Sequence, residues 1–271
     1  MNILFIGDIV GKPGRKMVKR YLPMLKKEKK IDYVIGNYEN LAHGFGITPK
    51  TFKEMKNAGI DIFTGGNHTF DKKKEAIELL SAGEILRPLN YFEAPGSWYY
   101  EDENIIVISA MGVCCMPYGK NPFIELDNFL KEKKKFVFID FHAEATAEKR
   151  AIFHLLKKRA SAIIGTHTHV GTDDLEIDEG CCYLSDVGIT GCRDNVIGMK
   201  IDGPIANMLT GLKQHYDVPD NCKSIFQAVL IESDGINAKK AYKLKAFDDS
   251  GIMITQIAGE GEVGNGEIVK L

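Results

Sequence analysis

Residues 3–8 read Ile3-Leu4-Phe5-Ile6-Gly7-Asp8, so four apolar side chains are followed at once by a glycine and a carboxylate. A short apolar run of this kind is typical of a strand that is covered on both faces, although a short buried helix can have the same pattern. Similar runs, rich in Ile, Val and Phe, recur at residues 33–35, 60–63, 105–108, 136–139 and 162–164. We therefore predict a buried strand at each of these places.

The segments between several of these runs have the spacing of amphipathic helices. In the first of them Val18, Leu22 and Leu25 recur among lysines and arginines, and similar stretches lie at residues 48–60 and 153–156. Strands that alternate with helices indicate an α/β fold.

The C-terminal part of the chain has a different residue pattern, with strand signals and no helix between them. Residues 224–232 and 241–246 are predicted to be two strands of a late hairpin or meander, joined by Asp234-Gly235. The 271 residues include 44% hydrophobic and 27% charged side chains, the balance of an ordinary globular protein. Because we find no linker, internal repeat or low-complexity tract, we predict one domain over residues 1–271.

The low net charge and the absence of apparent targeting segments argue against nucleic-acid binding, secretion and membrane insertion. The formal net charge of -2 gives no long-range attraction to nucleic acid or to acidic membranes, so strong nucleic-acid binding is not expected. The first apolar residues lack a basic region before them and reach Asp8 almost at once, which argues against a signal peptide. No apolar run approaches the roughly 20 residues of a membrane span.

The cysteines indicate a reducing compartment. None of them forms a Cys-x-x-Cys motif, and two adjacent pairs make a poor disulfide framework. We therefore expect reduced thiols in a cytoplasmic protein. The cysteines are Cys114, Cys115, Cys181, Cys182, Cys192 and Cys222.

Polar residues with metal-binding groups follow several of the predicted strands. In open α/β sheets, ligand sites assemble at the carboxyl ends of the strands, so these residues can converge on one cleft. They are Asp8, Glu39-Asn40, Asn67-His68, His142 and His167-Thr168-His169.

Each of these residues also has a purely structural interpretation. Asp8, Glu39-Asn40 and Asn67 can cap a turn or a helix, and a lone histidine such as His142 is more often a satisfied core or surface side chain. The His167-x-His169 pair is a stronger signal. In a strand its two rings share one face, and in a turn both can point at one ion.

The combination favours a metal centre. Nitrogen and oxygen donors from His, Asp, Glu and Asn suit Mn, Fe or Zn, and one carboxylate, Asp8 or Glu39, can bridge two ions about 3.5–4 Å apart. No cysteine lies in these motifs, which argues against a closed structural zinc site. His43, in a glycine-rich loop, is a candidate substrate contact, whereas His154 is interpreted as structural.

The ordered series of motifs resembles the calcineurin-type metallophosphoesterases. The most specific parts are Gly66-Asn67-His68 and the late Gly165-Thr166-His167-Thr168-His169. More narrowly, the chain resembles the YmdB-like branch of that superfamily. The stretches that carry this narrower resemblance are residues 7–11, 46–48, 65–71, 87–91 and 185–191.

The resemblance implies a fold and a set of site residues. The fold is α/β, with two mixed β-sheets packed as a sandwich and flanked by helices. One metal ion is expected at Asp8, Glu39, Asn40 and His169. The other is expected at Glu39, Asn67, His142 and His167, with Glu39 bridging and His68 as the general acid.

The chain departs from the broad superfamily pattern at two places. Val10 stands where the usual Asp-x-His motif has its histidine, and Glu39-Asn40 stands in place of the usual aspartate-arginine pair. Both departures are shared by the YmdB-like branch, so they sharpen the resemblance.

The function that the resemblance implies is a phosphodiesterase with two transition-metal ions, iron or manganese, acting on cyclic nucleotides and especially on 2′,3′-cyclic ones. Two such ions share a hydroxide and lower its pKa, and they neutralise phosphate charge in a chain that has no basic excess. His68 then protonates the leaving oxygen, since histidines titrate near neutrality. The family also implies a homo-oligomer.

Two other functions fit parts of the pattern. Metal-dependent amidohydrolases and deaminases use His-x-His as well, but there it closes the first strand of a TIM barrel, and here it comes late. The second is a metal-loaded regulatory or scaffold protein whose hydrolase activity is vestigial. That reading predicts a stable partner and a biological effect that His68→Ala leaves unchanged.

Overall fold

The computed structural model describes residues 1–117, 119–248 and 250–259, together with the backbone of residues 262–264 and 269–270. In this part of the chain the strands form two sheets, and the helices lie outside them. The strands are β1 (Asn2–Ile6), β2 (Tyr33–Asn37), β3 (Ile62–Thr64), β4 (Tyr99–Glu101), β5 (Ile105–Met111), β6 (Phe136–His142), β7 (Ala162–Thr166), β8 (Glu176–Asp178), β9 (Cys181–Leu184), β10 (Gly191–Cys192), β11 (Ser224–Ser233), β12 (Ala238–Phe247), β13 (Met253–Gly259), β14 (Glu262–Gly264) and β15 (Val269–Lys270). The helices are α1 (Gly11–Lys29), α2 (Pro49–Ala58), α3 (Lys73–Ser81), α4 (Pro122–Phe129), α5 (Thr146–Leu156) and α6 (Asp202–Thr210).

Both sheets are mixed. The first has the order β14-β13-β12-β11-β1-β2-β3, with β10 beside β11 and β15 beside β13. In it β1, β2 and β3 run parallel, while β11 pairs antiparallel with β1. The second sheet has the order β4-β5-β6-β7-β9-β8, with parallel strands at its centre and antiparallel strands at its edges. The predicted fold class is confirmed, and a TIM barrel is excluded.

The core between the sheets explains why the strand runs are apolar throughout. Ile3 and Phe5 of β1 point to the second sheet, where Phe5 and Phe138 pack with ring centroids 5.0 Å apart. Leu4 and Ile6 of the same strand belong to a second cluster, which packs with α1, α2 and α3. Successive side chains of a strand face opposite sides, so a strand covered on both faces needs no polar alternation.

The predicted strands all form, with small differences at their ends. The run at residues 60–63 becomes β3 only from Ile62, because α2 ends at Gly59 with a left-handed backbone (φ 109) and the chain must first turn back to the sheet. The late hairpin is β11 and β12, paired antiparallel. Short strands at sheet edges, such as β4 and β8, were not predicted, since three residues carry too little pattern. That residues 1–271 form one domain stays a prediction.

The prediction that all cysteines are reduced was wrong for two of them. Cys192 and Cys222 form a disulfide with their Cα atoms 5.7 Å apart. The contact arises from the register of β10, which pairs Cys192 with Ser224 of β11 and so brings residue 222 alongside. Local spacing in the sequence does not reveal such a pairing. The bond closes a loop that contains α6.

No helix in the described ranges is long and apolar enough to cross a membrane.

Candidate metal centre

The seven predicted donor side chains lie at the carboxyl ends of five strands. Three of these strands, β1, β2 and β3, are parallel neighbours in the first sheet, and β6 and β7 are parallel neighbours in the second. Because the sheets pack face to face, both sets of strand ends meet at one edge of the sandwich. The side chains are Asp8, Glu39, Asn40, Asn67, His142, His167 and His169.

Asp8, Asn40 and His169 form the first group, and all three are buried. The Asp8 Oδ2 atom lies 3.1 Å from His169 Nε2 and accepts a hydrogen bond from the backbone N–H of His167 at 3.0 Å. The Asn40 amide donates to the carbonyl of Gly44 at 2.8 Å, which leaves its oxygen available. This hydrogen bond gives the glycine-rich loop after β2 a structural role beside the site.

Glu39, Asn67, His142 and His167 form the second group. The ligand atoms of Glu39, His142 and His167 all lie within 4.8 Å of one another. His142 Nε2 is at the centre, 3.2 Å from Glu39 Oε1, 2.9 Å from Asn67 Oδ1 and 3.0 Å from His167 Nδ1. A Cβ on Gly66 would overlap Glu39 Oε2 and lie 2.5 Å from His142 Nε2, so only glycine leaves room for this arrangement.

A buried hydrogen-bond chain fixes the orientation of His142. Thr166 Oγ1 donates to Asp140 at 2.6 Å, so it accepts from the Nδ1–H of His142, which lies 2.9 Å away. Asp140 also accepts bonds from Asn37 and Thr64. In neutral His142 the lone pair is therefore on Nε2, which faces Glu39 and Asn67. Neither Thr166 nor Asp140 was predicted to support the site.

The orientation of His169 depends on a residue that the sequence analysis missed. Its Nδ1 lies 2.8 Å from the carbonyl oxygen of Ile197 and donates to it, so Nε2 faces Asp8. Ile197 has a positive φ of 44°, which is rare for a β-branched residue and costs about 1–3 kcal/mol. Both His167 (φ 99) and His169 (φ 65) also have a left-handed backbone, so the His-x-His segment is a turn and not a strand.

A buried ion pair braces this turn. Lys149 of α5 lies 2.9 Å from Asp186 Oδ2 and donates to the carbonyl oxygen of Thr166 at 2.9 Å. The same Asp186 oxygen accepts from the backbone N–H and the hydroxyl of Thr168, at 3.0 and 2.8 Å. The start and the middle of the turn are thus tied to one helix. Asp186 lies in one of the stretches that carried the resemblance, although no role was predicted for it.

The pKa shifts of Asp8, Glu39 and His142 favour positive charge in the site. Burial alone would raise the pKa of Asp8 and Glu39, but nearby His169 and His142 hold both below their usual ranges. Burial opposes protonation of His142, yet the charge of Glu39 raises its pKa to about 9. His167 behaves oppositely, because burial and the charge of His142 lower its pKa to about 4. Two carboxylates in a buried site thus attract a cation or a proton.

The donors fit transition-metal ions. Asp8 Oδ1 and Asn40 Oδ1 are buried without a hydrogen-bond partner among the described residues, and a buried oxygen of this kind is costly unless something satisfies it. Carboxylate, amide and imidazole donors are the mixture that such ions accept.

His68 lies beside these groups without belonging to them. Its Nδ1 is 2.7 Å from Asp71 Oδ2, and its ring meets Phe45 edge to face with centroids 5.0 Å apart. Its backbone N–H donates to Glu39 Oε2 at 3.0 Å. The carboxylate of Asp71 orients the ring, a role that the sequence analysis did not predict.

One cavity of about 240 Å³ opens onto this centre. Its polar side is lined by Glu39, Asn40, His68, His167 and His169. His43 is exposed with a positive φ of 60° and is not among the lining residues, so its predicted contact with substrate stays a prediction. His154 is exposed on α5, away from the two groups.

A profile of the YmdB-like protein family matches residues 4–245. The chain belongs to the YmdB-like family. The match includes all seven donor positions and His68, and it confirms the narrower resemblance found in the sequence.

Relatives of this chain carry phosphoesterase names. The chain is 41% identical over 254 residues to a 2′,3′-cyclic-nucleotide 2′-phosphodiesterase of Bacillus subtilis, which covers 90% of this chain and 96% of the relative. It is 35% identical over 246 residues to a putative phosphatase/phosphodiesterase of Mycoplasma genitalium, covering 86% of this chain and 87% of that one.

Two solved structures share the fold over nearly the whole chain. A hypothetical protein of Thermus thermophilus is 35% identical with a TM-score of 0.85, covering 91% of this chain and 99% of that one. A novel phosphatase of Mycoplasma pneumoniae is 31% identical with the same TM-score, covering 91% and 93%.

Proposed function

We propose that this chain is a metal-dependent phosphodiesterase that hydrolyses 2′,3′-cyclic nucleotides. The phosphoesterase class rests on the names of its relatives. The observation that carries the assignment to this site is the pair of partnerless buried oxygens on Asp8 and Asn40, next to the Glu39, His142 and His167 group. A cation bound here would satisfy both oxygens and use the neighbouring donor group at the same time.

Two ions are part of the proposal. One would be held by Asp8, Glu39, Asn40 and His169, and the other by Glu39, Asn67, His142 and His167. Glu39 is the proposed bridge because its carboxylate belongs to the His142 and His167 group and is close enough to Asp8 for the two negative charges to repel each other. Iron and manganese are the proposed metals, since both accept this donor set.

The residues around the ions have separate tasks. Bound metal would supply a nucleophile at neutral pH and neutralise the phosphate charge. Asn40 and Asn67 add donors without adding negative charge, so the site stays open to an anionic ester. Asp71 holds Nδ1 of His68, which leaves Nε2 to donate a proton to the leaving oxygen.

The proposed reaction consumes one water. A new bond from phosphorus to the water oxygen forms as the water gives up one proton to solvent, and the bond from phosphorus to the 2′ oxygen breaks. His68 passes its proton to the 2′ oxygen and is reprotonated from solvent. The product is a nucleoside 3′-monophosphate. We chose the bond to the 2′ oxygen as the one that breaks because the Bacillus subtilis relative is named a 2′-phosphodiesterase.

Initial rates on a panel of esters test the proposal. The panel contains 2′,3′-cyclic AMP, 3′,5′-cyclic AMP, a bis-aryl phosphodiester and an aryl phosphomonoester, with manganese-loaded protein and a chelated control. We expect metal-dependent turnover of the diesters, fastest on 2′,3′-cyclic AMP, and little on the monoester. Absence of turnover by protein that holds two metals per chain would instead favour the regulatory reading.

The cytoplasmic location and the homo-oligomer also stay predictions. The Cys192–Cys222 disulfide is unusual for a reducing compartment, so it counts against the first of them.

A further inference from the structure

We propose that the apolar wall of the cavity is the subsite that holds the nucleobase of the substrate. We define this wall as Phe45, Val196, Ile197, Met199, Pro204, Met208 and Tyr216. The inference rests on the proposed function and deepens it, because it assigns the part of the substrate that lies beyond the phosphate and the ribose.

The cavity has two chemically different sides. Its polar side carries the candidate metal ligands and His68, whereas the wall is apolar. Among the lining residues that the structure describes, Tyr216 contributes the wall's only polar side-chain group, its hydroxyl. A phosphate or a ribose hydroxyl gains nothing from such a surface. A flat heteroaromatic ring gains contacts with the aromatic rings and with the methionine sulfur atoms.

The wall is held in place by the core below it. Met199 is buried in a cluster with Val10, Ile189 and Ile225, and Phe45 and Tyr216 pack against that cluster. The hydroxyl of Tyr216 accepts a bond from the Asn207 amide of α6 at 2.8 Å.

The wall is also tied to the metal side of the cavity. Phe45 touches His68 edge to face, and the carbonyl oxygen of Ile197 orients His169. The same loop therefore places a candidate ligand and lines the apolar surface. An occupant of the wall would share one cavity with the phosphate site, as the base of a bound cyclic nucleotide must.

Two residues of the wall, Met208 and Ile197, are exposed to solvent, and this exposure favours the binding of a ligand. The exposed fraction of Met208 is 82% and that of Ile197 is 53%, which is high for large apolar residues that line a cavity. A base inserted here would cover both. Because the wall offers one hydroxyl and no set of donors and acceptors, we expect purines to bind better than pyrimidines, with little discrimination between adenine and guanine.

The test compares two neighbouring residues of α6. Met208 lines the cavity, while Leu209 is equally exposed at 81% and does not line it. We expect Met208→Ala to raise the KM for 2′,3′-cyclic AMP by roughly 3- to 10-fold with little change in kcat, and Leu209→Ala to change neither. Tyr216→Ala should raise this KM by roughly 5- to 100-fold.

A substrate without a base supplies the internal control. The KM for methyl riboside 2′,3′-cyclic phosphate should be unchanged in Met208→Ala and Tyr216→Ala, because this ester has no base to contact either residue. Equal increases in KM for both substrates would overturn the proposal. So would equal effects of Met208→Ala and Leu209→Ala, or a dimer that dissociates in Met208→Ala while the KM for 2′,3′-cyclic AMP stays constant.

Equilibrium binding separates this inference from the proposed function. Calorimetry with adenosine 3′-monophosphate and with inorganic phosphate needs no turnover. We expect the two variants to bind the nucleotide more weakly and phosphate as the wild type does. If the protein hydrolyses no ester, the proposed function fails, and the calorimetry still decides whether the wall binds a base. Equal binding of the nucleotide by wild type and variants would overturn the subsite.

Discussion

The side chains of the centre are oriented by neighbours that hold no metal themselves. Thr166 sets the tautomer of His142, and Ile197 does the same for His169 through its carbonyl oxygen. Partners of this kind typically change metal affinity by about 10–100-fold when they are removed. The precision of the site therefore depends on residues outside the predicted set.

Thr166→Val tests this dependence at constant side-chain volume. We expect metal affinity to fall by about 10–100-fold, because His142 loses the acceptor that fixes its tautomer and Thr166 no longer links it to Asp140. Competition with a chelator measures the affinity. Thr210→Val, at an exposed position of α6, is the matched control and should bind metal as the wild type does. Unchanged affinity in Thr166→Val would remove Thr166 from the support of the site.

The substitution His68→Ala distinguishes a general acid from a metal ligand at this position. We expect kcat to fall by about 10²–10⁴-fold while metal content stays near that of the wild type, because His68 lies outside both groups of donors. Asp8→Asn and His142→Ala should instead deplete metal. Elemental analysis alongside initial rates gives both quantities, and loss of metal in His68→Ala would make this residue a ligand.

The sequence predicted the donors better than their supports. Asp8, Glu39 and His142 each follow an apolar run within four residues, so their position near a strand end is visible in the local sequence. Ile197 and Asp186 act on the His-x-His turn from 28 and 18 residues away, through contacts that only the folded chain brings about. No local pattern marks either residue for that role.

Among the contacts between secondary-structure elements, the disulfide is the one that the local sequence pattern did not predict. It joins Cys192 of β10 to Cys222 and so fixes both ends of the segment that forms most of the apolar wall. In the chain-entropy description a loop of this length stabilises a fold by about 3–4 kcal/mol. The central strands, by contrast, were predictable because burial on both faces leaves a continuous apolar run.

Thiol labelling tests the disulfide without any substitution. In the native protein we expect alkylation of Cys114 and Cys115, which are exposed, and not of Cys181 or Cys182, which are buried. Denaturant alone should expose the buried pair, and denaturant with reductant should add Cys192 and Cys222. Intact mass measures each step. Labelling of all six cysteines in denaturant without reductant would contradict the disulfide.

For the whole molecule, a buried lysine gives stability a dependence on alkaline pH. Burial lowers the pKa of Lys243 from 10.5 to about 8, and its ammonium donates to the carbonyl of Thr172. Between these pH values the unfolded lysine holds a proton that the folded one has released. The free energy of unfolding therefore rises from pH 8 to 10.5, by up to about 3 kcal/mol, and this contribution is lost as pH falls below that window.

Lys243→Met should remove this rise and stabilise the protein at pH 7. The Thr172 carbonyl remains bonded, because Gln256 also donates to it at 2.9 Å. Urea unfolding at pH 8 and pH 10.5 measures the rise in the free energy of unfolding for each protein. Subtracting the rise of the variant from that of the wild type removes the contribution of groups that titrate in both. An equal rise in the variant would show that Lys243 is not its source.

Metal titration of stripped protein tests the central claim most directly. The protein is freed of metal, titrated with Mn²⁺, and assayed at each step for bound metal and for hydrolysis of 2′,3′-cyclic AMP. We predict that about two ions bind per chain, that hydrolysis appears only as the second site fills, and that Asp8→Asn binds fewer ions and stays inactive. Full activity with one ion or with none, or wild-type metal binding by Asp8→Asn, would contradict a two-metal phosphodiesterase at this site.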